Sequence, residues 1–366
     1  MAQRLTFEMD AIEASGRPDA PVVSVVMPVH NAGVHLSGAI ESVLSQTFCD
    51  FELILVDDGA TDGSGGLCDE YAVKDSRVRV KHGRNGGISA SRNAGLAMAR
   101  GKWIAFCDHD DFMEPELLEV ALGAVEGTGH KLVKFDHATF RRLGDGTLRR
   151  EFAGFGRGDC EWTAQEVLTA NGYPFFKALA GLVWDGLYLR EFIEACGLRF
   201  DESFKFGGED FDFMTRCIAA AGGGVWTSRT LYRHYYNMGV STSSSFHLAL
   251  VFDYLKTAHA ERRLFPAAFS DAGLRFVSFA EWTIPLIHFV FVVPGCILSL
   301  REQAAWLARY YDELVGSGAR FSCARLPAKR RFLAACARLR AFLAYLLLKR
   351  VVLALRRCKM AVLATE

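Results

Sequence analysis

Two short apolar runs of this chain end in the same way. Phe51-Glu52-Leu53-Ile54-Leu55-Val56 stops at Asp57-Asp58-Gly59, and Trp103-Ile104-Ala105-Phe106-Cys107 stops at Asp108-His109-Asp110-Asp111. Each run is short and rich in branched or aromatic residues, the signature of a buried strand. Val22 to Pro28 reads as another strand and Val78 to Lys81 as a shorter one. Between them, apolar residues at helical spacing predict helices over 36–46, 64–73 and 88–99. Strands and helices alternating at this length predict an α/β fold with a mostly parallel sheet covered on both faces. In such sheets ligands bind outside the carboxyl ends of the strands. The alternation therefore lines that edge with carboxylates.

The chain has 366 residues, 51% of them hydrophobic and 23% charged, so it carries enough apolar mass for a large core and is not a disordered polymer. Ten cysteines are scattered singly with no Cys-x-x-Cys pair. That argues against a zinc ribbon or a disulfide-stapled domain and for a reducing compartment. Met1 to Asp10 carries acids and lacks an apolar stretch, so no signal peptide is expected and residues 1–20 read as a polar leader. Neither a Gly-x-x-x-x-Gly-Lys-Ser/Thr loop nor a Gly-x-Gly-x-x-Gly turn is present, which speaks against a P-loop NTPase and a Rossmann dehydrogenase.

Further along, Lys131 to Phe135 reads as a strand, 144–158 as a glycine-rich loop, and Thr163–Ala170 and Glu191–Cys196 as helices. Gly207-Gly208-Glu209-Asp210 leads into a helix over Phe211–Ala220, and beyond about Ser245 the pattern is helical.

Taken alone, each acidic cluster has an ordinary explanation. Asp58-Gly59 is a turn, Asp108 to Asp111 would cap a helix beginning near Pro115, and Glu209 and Asp210 would complement a helix dipole. Alternate residues of an extended segment nevertheless point the same way, so Asp108 and Asp110 would face one ion with Asp111 offset, a ligand set for Mg²⁺ or Mn²⁺.

Five stretches together are more specific. They are Val25 to Asn31, Ser42 to Thr47, Leu55 to Ser64, Asn85-Gly86-Gly87 with Ser91-Arg92-Asn93-Ala94-Gly95, and Phe106 to Asp111. In this order and spacing, residues 22–116 resemble the nucleotide-binding half of the family 2 glycosyltransferases, which have the GT-A fold and include many enzymes of bacterial polysaccharide synthesis. The resemblance weakens to about residue 245 and does not reach the C-terminal third. It implies a catalytic domain over 21–245, with a nucleotide half to 116 and an acceptor half beyond, and a helical extension over 246–366.

The resemblance implies transfer of a single sugar, with inversion, from a nucleoside diphosphate sugar (a UDP-sugar foremost) to a hydroxyl of a glycan or lipid-linked oligosaccharide. It places Pro28, His30, Asn31, Asp57, Asp58, Asn85, Arg92 and Asp108 at the donor, Asp57 against the base. Asp108 and Asp110, with His234, would hold Mn²⁺ or Mg²⁺ against the diphosphate. Asp210 is implied as the base that deprotonates the acceptor, with Glu209 beside it. For His234, a packed imidazole in an aromatic cluster is the equal alternative. The roles of Ser241 and Ser243 stay open.

This chain departs from the family pattern at His30, Ala60 and Gly186, where Tyr, Ser and Lys are usual. Trp184 is read as core ahead of a sugar platform. The Gln-x-x-Arg-Trp signature of processive synthases is absent. Two other readings remain: a transferase acting on a polyprenyl phosphate, and a non-catalytic sugar-nucleotide-binding scaffold.

The neutral total of 42 Lys and Arg against 42 Asp and Glu hides an asymmetry. From residue 314 to the end there are twelve Lys or Arg against Glu366 alone, a charge of +11 that leaves −11 on the rest. Residues 282–300 carry no formal charge but contain Pro285 and Pro294, so they read as a buried or interfacial hairpin rather than a span. Residues 330–359 alternate apolar runs with paired bases, as an amphipathic helix on an anionic leaflet would. The expected location is the inner face of the cell membrane, with no nucleic-acid partner.

Overall fold

The computed structural model describes residues 20–142, 147–204, 207–236, 248–280, 298–316, 319, 328–339 and 341–347. The leader, Ser241, Ser243, most of the 282–300 segment and the chain beyond 347 lie outside these residues.

The first unit runs β1 (Val23–Val29), α1 (Leu36–Leu44), β2 (Phe51–Asp57), α2 (Ser64–Lys74), β3 (Val78–His82), α3 (Ile88–Met98) and β4 (Trp103–Phe106). Every residue of β1, β2 and β4 is buried, as a sheet packed on both faces requires. There follow β5 (Phe112–Met113), α4 (Leu117–Val125), β6 (Leu132–Arg142), β7 (Leu148–Phe152), β8 (Cys160–Thr163), α5 (Ala164–Val167) and α6 (Tyr173–Ala180). Then come β9 (Gly186–Leu189), α7 (Arg190–Ala195), α8 (Glu209–Ala221) and β10 (Gly223–Tyr236).

These strands form one ten-stranded sheet in the order β3-β2-β1-β4-β9-β6-β10-β5, with β7 on β6 and β8 on β10. Strands β3, β2, β1 and β4 are parallel, β9 is antiparallel to β4 and β6, and β10 is parallel to β6. The carboxyl ends of β1, β2, β4, β6 and β10 therefore share one edge. The fold is the mixed α/β, mostly parallel arrangement expected, with extra C-terminal helices.

Local boundaries differ where tertiary contacts override the pattern. The stretch read as loop contains β7, an exposed hairpin strand paired with β6. The helix expected over 163–170 shrinks to α5, started by a reciprocal cap between Thr163 and Glu166.

Beyond β10 come α9 (Leu248–Leu264), α10 (Ala272–Ser278) and helices over Leu300–Leu314, Ala328–Arg338 and 342–347. The last three pack with Ala258, Phe276 and Phe279 in a hydrophobic cluster separate from the one around the sheet. A buried polar knot joins the two parts: Tyr173 of α6 donates to Glu261 of α9 at 2.5 Å, and Ser278 of α10 donates to the same carboxylate at 2.7 Å.

Candidate functional site

The loops leaving β1 and β2 are laced together before any ligand arrives. Asp57, at the end of β2, accepts from the Ala60 amide at 2.8 Å and from His82 at 2.8 Å. The other nitrogen of His82 meets Asp69 at 3.0 Å, and the two carboxylate hydrogen bonds raise the imidazole's pKa. Asp58 accepts from the amides of Gly86 and Gly87 at 2.8 and 2.9 Å, holding the loop that opens α3. His30 Nδ1 donates to the Asp58 carbonyl at 3.0 Å, which leaves Nε2 to accept from the amides of Asn31 and Asn85, each at 3.2 Å. Asn31 adopts a left-handed φ of 47° and accepts from the Thr61 amide at 2.8 Å. His30, Asn31, Asp58 and Asn85 thus form one rim, with Asp57 beneath it.

The second group meets around Arg92 of α3. Its guanidinium, 1% exposed, donates to Asp108 at 3.1 Å, to Glu209 at 3.2 Å and to Asp210, and lies over the Phe200 ring. Asp108 follows β4, whereas Glu209 and Asp210 begin α8, so one buried cation joins carboxylates more than 100 residues apart. Gly208 supplies the left-handed turn into α8 at φ 96°, a conformation that strains residues bearing a Cβ. Arg92, expected at the donor, faces three carboxylates and is sealed from solvent.

A third group sits beside it. Asp111 is fully buried and accepts from the Tyr232 hydroxyl at 3.0 Å, His234 Nδ1 at 3.0 Å and the Tyr235 amide at 2.8 Å. The Tyr232 oxygen in turn accepts from the Asp108 amide at 3.0 Å. Trp184, 3% exposed, stacks on Tyr232 at 4.3 Å and on His234 at 5.3 Å, so it is core. Two register irregularities in β10, between Thr227 and Tyr232, bring these alternate side chains to the edge. His109 ties this loop back to β1 by donating to the Pro28 carbonyl at 3.1 Å.

At 186 the absent lysine has a structural counterpart. Lys134 of β6 is wholly buried and donates to the Leu182 carbonyl at 2.6 Å and to Asp185. A Cβ on residue 186 would lie 2.7 Å from the Val133 carbonyl and 3.0 Å from Lys134 Cδ. Gly186 leaves the room that Lys134 occupies.

The electrostatics of this edge are uncompensated. Burial, with the charges of Asp111 and Asp108, pushes Asp110 up to about 6. Burial also raises Asp210 to about 7, reinforced by Glu209 and Asp108 and opposed by Arg92. His234 rises to about 9, burial opposing and Asp111 then favouring its charged form. Arg92 and His234 supply two positive charges against Asp108, Asp110, Asp111, Glu209 and Asp210.

This donor set suits a hard divalent cation that completes its sphere with ligand oxygens. Arg92 engages only one oxygen of Asp108, and hydrogen bonding to Asp111 occupies only Nδ1 of His234. Among the described residues no group of three His, Cys, Asp or Glu stands ready to hold a metal alone.

Sequence reasoning found the acidic clusters but not His82, Tyr232 or Lys134. His82 had a signal, since it ends a strand beside the Asp57 strand.

Residues 24–162 match the family model described as glycosyl transferase family 2. The chain is 33% identical over 199 residues to the uncharacterised glycosyltransferase EpsJ of Bacillus subtilis, 53% of this chain and 55% of that protein. It is 29% identical over 228 residues to the cholesterol galactosyltransferase of Borreliella burgdorferi, 61% of this chain and 62% of that one. It spans about half the length of such curated relatives. Among solved structures, residues 1–349 of TarS from S. aureus, in complex with UDP-GlcNAc, superpose with a TM-score of 0.63 at 18% identity, covering 87% of this chain and 88% of that one. Residues 24–162 are a glycosyl transferase family 2 domain, and the chain around them has the GT-A type of fold.

Proposed function

We propose that the protein is an inverting glycosyltransferase that moves one sugar from a nucleoside diphosphate donor, a UDP-sugar foremost, to a hydroxyl of a glycan or lipid-linked acceptor in surface polysaccharide synthesis. The observation that carries this reading is the convergence on Arg92 of Asp108 from one half of the sheet with Glu209 and Asp210 from the other. In this reading residues 21–245 are the catalytic unit and 246–366 an appended helical part. The UDP-GlcNAc held by TarS, whose fold this chain shares, supports a nucleotide-sugar donor.

The donor's base and ribose lie against the rim of His30, Asn31, Asp58 and Asn85, with Asp57 held beneath by His82. Asp108 and Asp110 would hold Mn²⁺ or Mg²⁺, with His234 Nε2 able to join only once it gives up its proton, and the ion would offset charge on the diphosphate leaving group. Asp210 takes the acceptor's proton as its oxygen attacks the anomeric carbon. A base poised near neutrality suits that step, and burial raises Asp210 to about 7. Arg92 keeps Glu209 and Asp210 aimed at the same space as Asp108. The reaction is placed at the inner face of a membrane, where the basic C-terminal segment finds its counter-charge.

A thermal-shift panel of UDP-, GDP- and CMP-sugars with and without Mn²⁺ tests the reading. One nucleotide class should raise the melting temperature in a metal-dependent way, since a ligand that binds only the folded state stabilises it by mass action. No shift with any donor would remove the proposal. A transfer rate indifferent to Asp210→Asn would instead favour a phosphate acceptor, and donor binding without transfer would favour a scaffold.

A further inference from the structure

The last described helices bury one set of apolar side chains and expose another. Over Ala328–Arg338 and 342–347, Leu333, Ala334, Cys336, Phe342, Tyr345 and Leu346 turn into the C-terminal cluster. The outward side carries Phe332, Leu339, Leu343 and Leu347 at 43, 77, 37 and 47% exposure, interleaved with exposed Ala335 and Ala344. A helix that faces water keeps its polar residues there. Leu343 and Leu347 lie one turn apart on the last described helix, and Leu339 sits in the turn that leads toward it, so these exposed side chains fall close together along the chain.

Charge selects what covers these side chains. The segment from residue 314 onward carries twelve Lys or Arg against Glu366 alone. A second copy of the chain would bring two such segments together and repel. A surface of anionic headgroups over acyl chains satisfies both features, taking the leucines at its boundary and the bases at its phosphates. We infer that the outward face formed by Phe332, Leu339, Leu343 and Leu347 is the protein's contact with an anionic lipid surface. This deepens the membrane-side reading above and rests on it for biological setting, while the face itself is argued from exposure and charge.

Flotation of the full chain with vesicles of phosphatidylcholine containing about a third phosphatidylglycerol tests the assignment. The wild type should float with these vesicles, should not float with pure phosphatidylcholine, and should be partly released by salt. Leu343→Glu with Leu347→Glu should cut partitioning by about tenfold or more, since both buried apolar contacts are lost and like charge faces the leaflet. Because both positions point outward, its circular dichroism and melting temperature should match the wild type, and so should its response to nucleotide. Failure of the wild type to float, equal flotation on neutral vesicles, or undiminished flotation of the folded double variant would overturn the inference. So would a lipid-free dimer that the double variant dissolves. Loss of every nucleotide response with flotation intact would instead strike the transferase reading alone.

Discussion

The two edges of the sheet treat buried carboxylates in opposite ways. At the amino edge, Glu52 of β2 has a side chain only 2% exposed, yet each of its oxygens is engaged: Ser24 donates at 2.7 Å, the Arg100 amide at 2.8 Å, Arg79 at 2.9 Å and the Arg100 guanidinium at 3.0 Å. Burial alone would raise its pKa, but these hydrogen bonds together hold it below the ordinary value. At the carboxyl edge, Asp110, Asp111 and Asp210 are all raised by burial, with the charge of Asp108 adding to each. Similar side chains are neutralised where they only hold strands together and left short of positive charge at the edge proposed to take the ligand. The difference separates architecture from chemistry better than burial does, and matches the rule that perturbed groups gather at functional sites.

The largest expected break in this contrast comes from Asp210→Asn. Transfer to a hydroxyl acceptor should fall by about 10³-fold, within the range for loss of a general base, while donor affinity stays within a few-fold. Initial rates alongside a donor titration would reveal it.

Arg92→Met removes the guanidinium that joins Asp108 to Glu209 and Asp210. It leaves three partly buried carboxylates without their partner, and removal of one member of such a buried set costs about 3–5 kcal/mol. Chemical denaturation should show that loss. A variant as stable as the wild type would mean that Arg92 does not organise the site.

Glu52→Gln tests the amino edge. Losing an acceptor within a saturated network should cost about 1–3 kcal/mol and leave kcat unchanged. A fall in kcat without a fall in stability would erase the distinction between the edges.

The smallest effect is in pH dependence, and its sign differs between the edges. Glu52 has a lowered folded pKa, so its stabilisation is present above its ordinary value of 4.5 and is lost as pH falls through the folded value. Asp210 has a folded value of about 7 against an ordinary 3.8, so its contribution is present below 3.8 and is lost as pH rises toward 7. Without metal or donor, the stability of Asp210→Asn relative to wild type should therefore rise as pH climbs through this window, reaching a gain on the order of 1 kcal/mol by pH 8, above it. Thermal melts of both variants across pH would read the two slopes.

Much of the nucleotide half was legible because its strands are buried on both faces and read as uninterrupted apolar runs. The acid clusters that stop them fall at the edge where a parallel sheet opens. The acceptor half was harder for a physical reason. In Leu231-Tyr232-Arg233-His234-Tyr235-Tyr236, both faces of the strand carry rings, and only the irregular pairing with β6 decides which ring reaches Asp108. Arg92 was legible as important, but the sequence around it says nothing about the partners that α8 delivers. Lys134 sits in a strand whose pattern is apolar, and its pairing with Asp185 depends on the space left by Gly186.

Calorimetric titration of UDP in the presence of Mn²⁺ against the wild type, Glu52→Gln and the pair Asp108→Asn with Asp110→Asn addresses the carboxyl edge directly. The expected result is equal affinity for the wild type and Glu52→Gln, with a loss of about 100-fold or more for the double variant, as removal of metal-holding carboxylates implies. Unchanged binding in the double variant, or loss of binding in Glu52→Gln at a temperature where it remains folded, would contradict the placement of the donor among these aspartates.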